Sequence, residues 1–148
     1  MITFSVRGVP VAWSRTRVVT VPRLRFVNPA EMTRWQEQIA TAAALAAREA
    51  GWKCVDDGAL AVVMVAYFPV AASKSAKERD RLIGKPHTQR PDVDNVWKVC
   101  GDALGGFDGK RPRANLYRND SQVASLITSK LWTETGREGV TVSLEMMA

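Results

Sequence analysis

Residues 59–68 are ten consecutive apolar residues, and this run limits the folds open to the chain more than any other feature. The run is too short for most helices and is rich in valine, which indicates the central strand of a sheet. A chain of 148 residues, 46% of them hydrophobic, has enough apolar side chains for one core and rarely for two. We therefore expect a single domain spanning residues 1–148.

Capping residues and helical periodicity predict two main helices. The first should run between Asn28, as its N-cap, and Gly51, and is an amphipathic helix of about six turns. The second should be capped by Asp92 or Asp94 and continue to Leu104.

Alternating or continuous apolar stretches predict further strands at residues 2–6, 18–27, 123–132 and 140–146. Pro22 restricts the second of these to an edge or hairpin strand. Two polar, basic segments, at residues 71–90 and 105–118, are predicted to be loops. The sequence thus predicts an α/β (α+β) fold, in which a mixed sheet of about four strands packs against two main helices in the order β-α-β-α-β-β.

The net charge of +6 is distributed unevenly along the chain. Residues 1–30 carry +5, residues 73–90 carry +4 and residues 109–118 carry +4, which leaves −7 for the remainder. One such stretch alone would be read as a solvated loop, but three of them favour a phosphate backbone as the partner. The basic residues that we expect to contact DNA are Arg15, Arg17, Lys74, Lys77, Arg90, Lys110, Arg111 and Arg113.

The segment 90–98 places two carboxylates just before a helix. In an extended stretch Asp92 and Asp94 point to the same side, so both can bind one hard cation. Lys98 lies one helical turn further on, where its ammonium can hold a phosphate oxygen. Asp120, at the start of the strand after the second basic segment, is the best candidate for a third carboxylate. Three carboxylates and a lysine meet the requirements of metal-assisted phosphodiester cleavage, so these four are the candidate catalytic residues.

Other interpretations of the same residues are weaker. An Asx turn, an N-cap and a surface ion-pair stripe would need no metal. An EF-hand loop would need an oxygen ligand and a glycine where Val96 and Trp97 stand. A nuclease motif of the PD and D/E-x-K type could combine Asp92 with residues 108–110, but only as a weak variant, because its second element lies in a Gly/Pro-rich loop. Since no phosphate-binding glycine motif occurs, no nucleotide cofactor is expected.

The sequence predicts a cytoplasmic protein without a membrane partner. No apolar run approaches the length of a membrane span, and residues 1–13 alternate instead of forming a signal peptide. Cys54 and Cys100 form no CxxC pair and have no histidine cluster beside them, so neither a disulfide framework nor a zinc site is indicated.

Four motifs together resemble the RusA-type Holliday junction resolvases, a family of endodeoxyribonucleases often carried by prophages. They are Arg90-Pro-Asp-Val-Asp-Asn-Val-Trp-Lys98, Asp102-Ala-Leu-Gly, Asp120-Ser-Gln-Val followed by Lys130, and the opening Gly8-Val-Pro10 with Arg15, Arg17, Pro29 and Thr33. The resemblance covers most of the chain, and the combination of DxDNxxK with DSQV is specific where DxDN alone is not.

This resemblance implies an α/β homodimer of bacterial or phage origin that acts in DNA recombination and repair. It implies binding to four-way junction DNA, a requirement for Mg²⁺ or Mn²⁺, and paired symmetric nicks. By position, Asp92, Asp94 and Asp120 resemble the family's three metal-binding aspartates, and Lys98 resembles its essential lysine.

Two departures from the family pattern concern the third aspartate. Asn119 stands where the family usually has the first of two adjacent acids, so only Asp120 carries a charge there. The segment 103–119 is also longer than usual and basic. An alternative function is therefore a protein that binds junctions or branched DNA with weak or lost cleavage.

Overall fold

A four-stranded mixed sheet forms the centre of the molecule. The computed structural model describes residues 1–15, 17–20, 25–27, 29–106 and 113–148, and only the backbone of residues 17 and 25–27. The strands of the sheet are β1 (Ile2–Arg7), β4 (Leu60–Pro69), β5 (Val123–Thr133) and β6 (Gly139–Met146), in the spatial order β1-β6-β4-β5. Strand β4 pairs parallel to β5 and antiparallel to β6, and β1 pairs antiparallel to β6. The predicted single domain with a mixed sheet is confirmed.

Strand β4 occupies the central position predicted from residues 59–68, although only one of its faces is well buried. Its alternate residues Leu60, Val62 and Met64 are at most 1% exposed, whereas Val63, on the opposite face, is 41% exposed. The reason is that the long helices cover the face that carries Leu60 and Val62, so the unbroken apolar run is not buried on both sides.

Both predicted long helices are present. Helix α1 (Ala30–Glu49) begins after Pro29 and ends at Ala50, where Gly51 follows with a φ of +66° that favours glycine. Asn28, predicted as its N-cap, lies outside the described residues. Helix α3 (Val93–Leu104) begins after Asp92 and packs against α1. None of the helices in the described ranges is long and apolar enough to cross a membrane.

A third helix lies inside the segment 71–90, which was predicted to be a loop. Helix α2 (Ala76–Leu82) is started by a capping box, in which the backbone N–H of Glu78 donates to Ser75 Oγ and that of Ser75 donates to Glu78 Oε2. The helix buries no side chain, which is why no apolar periodicity revealed it. The loop prediction was wrong for these seven residues.

The stretch predicted as an edge or hairpin strand forms a small separate sheet. Its two strands, β2 (Arg17–Val19) and β3 (Arg25–Val27), pair antiparallel. The predicted order of the main elements is thus confirmed, with α2 and this second sheet added.

His87 belongs to the core although it lies in a loop. It is 7% exposed, and its ring stacks on Phe68 with centroids 4.5 Å apart and tilts against Trp132 at 4.1 Å. Burial, and then the positive charge of Lys130, lower the pKa of His87 below its usual value. Its imidazole is therefore neutral at pH 7.

Acid should destabilise the fold through this histidine. An unfolded imidazole takes up its proton near pH 6.5, whereas the folded one resists protonation, so the unfolded state binds more protons as the pH falls. The free energy of unfolding should therefore decrease as the pH drops through about 6.5 and level off below the lowered pKa of the folded form.

Urea unfolding of the wild type and of His87→Asn, at about pH 7.5 and about pH 5.5, measures this effect. Asparagine keeps a polar group near the position of Nδ1 and does not titrate. The wild type should lose more stability on acidification than the variant, and equal losses would contradict the prediction.

Candidate active site on helix α3 and strand β5

Helix α3 carries the acidic and basic residues of the candidate site on its outer side. Asp92 occupies the N-cap position and Asp94 the first turn, and both side chains are exposed. Lys98 is exposed and Asp102 half-buried, one and two turns further along. The inner side is apolar, and its buried residues are Val96, Val99, Cys100, Gly101, Ala103 and Leu104. This apolar side fixes the helix on the core and leaves the charged side open to a ligand.

A cleft of about 360 Å³ lies between the C-terminal half of α3 and the start of β5. Its lining residues are Trp97, Lys98, Gly101, Asp102, Tyr117, Asp120, Val123 and Leu126. Lys98 and Asp120, two of the four candidate catalytic residues, thus meet in one cleft together with Asp102.

Asp120 approaches the end of α3 closely because glycine stands at residue 105. A Cβ atom on Gly105 would lie 2.8 Å from Asp120 Oδ1 and 3.2 Å from Cε2 of Tyr117, both shorter than a normal contact. The missing side chain leaves the space in which the carboxylate lies.

The Asp120 carboxylate is held by the turn that contains it, and Gln122 holds that turn. A single 3₁₀ turn, Asp120–Gln122, precedes β5. Gln122 Oε1 accepts from the backbone N–H groups of Arg118 and Asn119 at 3.0 and 2.9 Å. Its Nε2 donates to the carbonyl oxygens of Val55 and Gly58 at 3.2 and 3.3 Å. Gln122 therefore ties the Asp120 turn to the segment before β4, a role that was not predicted although the residue belongs to the DSQV motif.

Tyr117 forms the buried wall of the cleft. It is 1% exposed, and its hydroxyl donates to the carbonyl oxygen of Gly101 at 3.5 Å. Burial raises the pKa of Tyr117, and the nearby charges of Asp120 and Asp102 raise it further. The phenol therefore stays protonated at neutral pH and acts as a donor beside the two carboxylates.

An aromatic ring lies against the exposed side chain of Lys98. Its Nζ lies 3.9 Å from the ring centroid of Trp13, and the backbone N–H of Trp13 donates to the carbonyl oxygen of Asn95 at 2.9 Å. A cation over an indole face is attracted by about 0.5–2 kcal/mol, depending on its exposure. Trp13 therefore restricts the position of Lys98, which motif spacing alone did not reveal.

The carboxylates lie in two pairs, one at each end of α3. Because an α-helix rises 1.5 Å per residue, the backbones of Asp94 and Asp102 are roughly 12 Å apart along the axis. Asp92 lies beside Asp94 at the start of the helix, and Asp120 lies beside its end, at Gly105. In the part of the chain that the structure describes, no three His, Cys, Asp or Glu side chains form a group that could hold a metal ion.

The chemistry of these ligands suits a hard divalent cation. Their positions do not, however, surround a single point. All the candidate ligands are carboxylate oxygens, which Mg²⁺ and Mn²⁺ prefer. Mg²⁺ is often bound through one or two carboxylates, with substrate phosphates and water as its remaining ligands. Each of the two pairs of aspartates, one at the start of α3 and one beside its end, offers that minimum.

The basic residues expected to contact DNA differ in exposure. Three of them are exposed, namely Arg15, Lys77 and Arg90. Two are half-buried, namely Lys74 and Arg113, and the charge of Arg113 acts on the phenol of Tyr117. The side chain of Arg17 and the whole of Lys110 and Arg111 lie outside the described residues, as do residues 108–110 of the weaker nuclease motif.

An α+β domain that presents carboxylates and a lysine in an open cleft, next to basic segments, is typical of enzymes that cleave phosphodiesters. The family model for Endodeoxyribonuclease RusA matches residues 7–145 of the chain. The chain is also 30% identical over 147 residues to the Uncharacterized protein YqaN of Bacillus subtilis (strain 168), covering 95% of this chain and 94% of that protein. The chain belongs to the RusA endodeoxyribonuclease family, whose members are nucleases of Holliday junctions.

Replacing Gln122 with alanine should loosen the turn that carries Asp120. The variant loses four hydrogen bonds in a partly exposed position, so we expect the free energy of unfolding to fall by about 1–3 kcal/mol. Urea unfolding measures the change, with Gln38→Ala, at an exposed position of α1, as the matched control. A loss for Gln122→Ala no larger than for Gln38→Ala would show that these bonds do not hold the turn.

Proposed function

We propose that this protein is a divalent-metal-dependent endodeoxyribonuclease that resolves four-way DNA junctions by paired, symmetric nicks. The observation that carries the proposal is the cleft in which Lys98 meets Asp102 and Asp120, in a chain of the RusA family. Mg²⁺ is the proposed cation, with Mn²⁺ as a substitute.

The proposed catalytic residues are Asp92, Asp94, Lys98 and Asp120. The three aspartates are the proposed ligands of divalent cations, Asp92 and Asp94 at the start of α3 and Asp120 beside its end, with DNA phosphate oxygens and water filling the remaining positions. When bound, the cation would neutralise the attacked phosphate and activate the attacking water. Lys98 would place its ammonium against the phosphate oxygen on which charge develops. Among the described residues, no three acidic side chains surround one point, so DNA phosphate oxygens would have to complete the coordination. We therefore expect the cation to bind more tightly with DNA present than without it.

DNA binding is proposed to rest on the basic segments. Lys77, on α2, and Arg90, just before Pro91, are exposed and can reach phosphates without moving the core. Arg15, two residues after Trp13, is also exposed and adds a third positive charge for phosphate contacts. Contacts of this kind carry no sequence information, which suits recognition of a junction by its shape.

Paired nicks need two sites, and a two-fold homodimer would present them to strands of like polarity. We therefore propose a homodimer as the acting form, in the cytoplasm of a bacterium, where chromosomal and phage DNA form junctions. A chromosomal or a prophage gene fits this proposal equally.

A second candidate function is junction binding with weak or lost cleavage. It is favoured by Asn119, which replaces a charged residue beside Asp120, and by the separation of the aspartates into two pairs. Both functions predict binding that weakens steeply with salt, so only cleavage separates them.

The test is incubation of a synthetic four-way junction with Mg²⁺ and either the wild type or one of the variants Asp92→Asn, Asp94→Asn, Asp120→Asn and Lys98→Met. Removal of one charge that stabilises the transition state should slow nicking by about 100-fold or more. Glu37→Gln, an exposed carboxylate on α1, is the matched control and should nick at the wild-type rate.

The possible outcomes separate the two functions. Nicking by all four variants at the wild-type rate would remove the proposed site, and tight junction binding without nicking by the wild type would favour the second function. Asp102→Asn tests the cleft itself. A loss of nicking rate as large as for Asp120→Asn would make Asp102 a further cation ligand.

Trp13→Ala should impair cleavage through Lys98 and leave junction binding nearly unchanged. Loss of a cation–π contact of about 0.5–2 kcal/mol corresponds to a rate between about 2-fold and 30-fold lower. Trp13→Phe keeps a ring and should retain more activity. Rates with Mg²⁺ and junction affinity with Ca²⁺ separate the two effects. Weaker binding with an unchanged cleavage rate would instead indicate that Trp13 stacks on a base.

A further inference from the structure

The segment that leads into α3 is fastened to the edge strand β5. The backbone N–H of His87 donates to the carbonyl oxygen of Lys130, and that of Trp132 donates to the carbonyl oxygen of Lys85, both at 2.9 Å. Pro86 and Leu131 form an antiparallel bridge between these bonds. The segment therefore covers part of the open edge of β5, which gives it a fixed course along the strand.

The side chain of Lys130 contacts the same segment at three atoms. Its Nζ donates to the carbonyl oxygens of Gln89, at 2.6 Å, and of Pro91, at 2.5 Å, and lies 3.3 Å from Nδ1 of His87. An ammonium group has three donors, and two of them are used on these carbonyl oxygens. None of the partners is a carboxylate, and all of them lie within residues 87–91.

The contact with Pro91 bears directly on the start of α3. Asp92 is the next residue, and its carbonyl oxygen accepts the first backbone bond of the helix from Val96 at 3.2 Å. The Asp92 side chain makes no capping hydrogen bond, so the N-cap residue does not fix its own orientation. The ammonium of Lys130 holds the chain at Pro91, the residue immediately before Asp92.

We propose that Lys130 is a positioning residue, which fixes the start of α3 and with it the directions of the Asp92 and Asp94 carboxylates. The consequence for cleavage rests on the proposed function, because it assumes that these carboxylates bind the cation. The positioning itself does not depend on any activity. Lys53 is exposed and, within the part of the chain that the structure describes, makes no comparable contact, so it provides a matched control.

Hydrogen exchange tests the positioning without an activity. Lys130→Met keeps an unbranched apolar side chain and removes the ammonium, and Lys53→Met makes the same change at the control position. Amide exchange in residues 88–97 should become about 10-fold faster or more in Lys130→Met and stay unchanged in Lys53→Met. Exchange in α1 should equal that of the wild type. Unchanged exchange in residues 88–97, or equal acceleration over the whole chain, would overturn the proposal.

The cation dependence of junction nicking tests the consequence for the site. The Mg²⁺ concentration at half-maximal rate should rise about 10-fold in Lys130→Met, while junction affinity in Ca²⁺ stays at the wild-type value. Lys130→Arg, which retains donors for both carbonyl oxygens, should restore most of the cation affinity. An unchanged half-saturating Mg²⁺ concentration would show that Lys130 does not affect cation binding. If the wild type does not nick, the proposed function fails, and the exchange measurement still decides whether Lys130 positions the helix.

Discussion

The parallel pairing of β4 with β5 is the constraint on which the candidate site depends. Two parallel neighbours cannot be joined by a hairpin, so the chain must return from the end of β4 to the start of β5 over one face of the sheet. Helix α3 lies in this return. Its last residues therefore come close to the start of β5, where Asp120 lies against Gly105, and its first residues come close to the far end of the same strand. The topology alone brings the DSQV turn to the helix that carries Lys98.

Strand β5 then holds both ends of that helix. At its start, the turn of Asp120 is tied down by Gln122, whose amide uses both its oxygen and its nitrogen on backbone groups. Near its far end, the ammonium of Lys130 donates to the carbonyl oxygens of Gln89 and Pro91, just before Asp92. A strand paired along its length to β4 is one of the least mobile parts of a small domain. The pair Asp92 and Asp94 and the single Asp120 therefore depend on one rigid element, although Asp120 lies more than 25 positions further along the sequence.

The features predicted correctly from sequence are those with a local cause. The apolar run at residues 59–68 and the helical spacing of α1 were enough to predict the central strand and the helix. Helix α2 was missed because it buries nothing, although its capping box from Ser75 to Glu78 is visible in the sequence. The burial of His87, the ring of Trp13 over Lys98 and the contacts of Lys130 connect residues 19 or more positions apart, and no periodicity predicts contacts of that kind.

The separation of the aspartates into two pairs has a physical reason in a chain that must fold before it meets DNA. Three carboxylates gathered around one point repel each other unless a cation is already present. On α3, Asp94 and Asp102 instead lie four residues before and after Lys98, a spacing at which opposite charges attract by about 0.2–0.5 kcal/mol. The helix can therefore form with its charges balanced around the lysine, while Trp13 covers the ammonium. Under the proposed function, a DNA phosphate would then supply the oxygens that the protein lacks, so that a competent cation site forms only on bound DNA. Because the DNA would complete the cation site, the protein would nick only a junction to which it is bound.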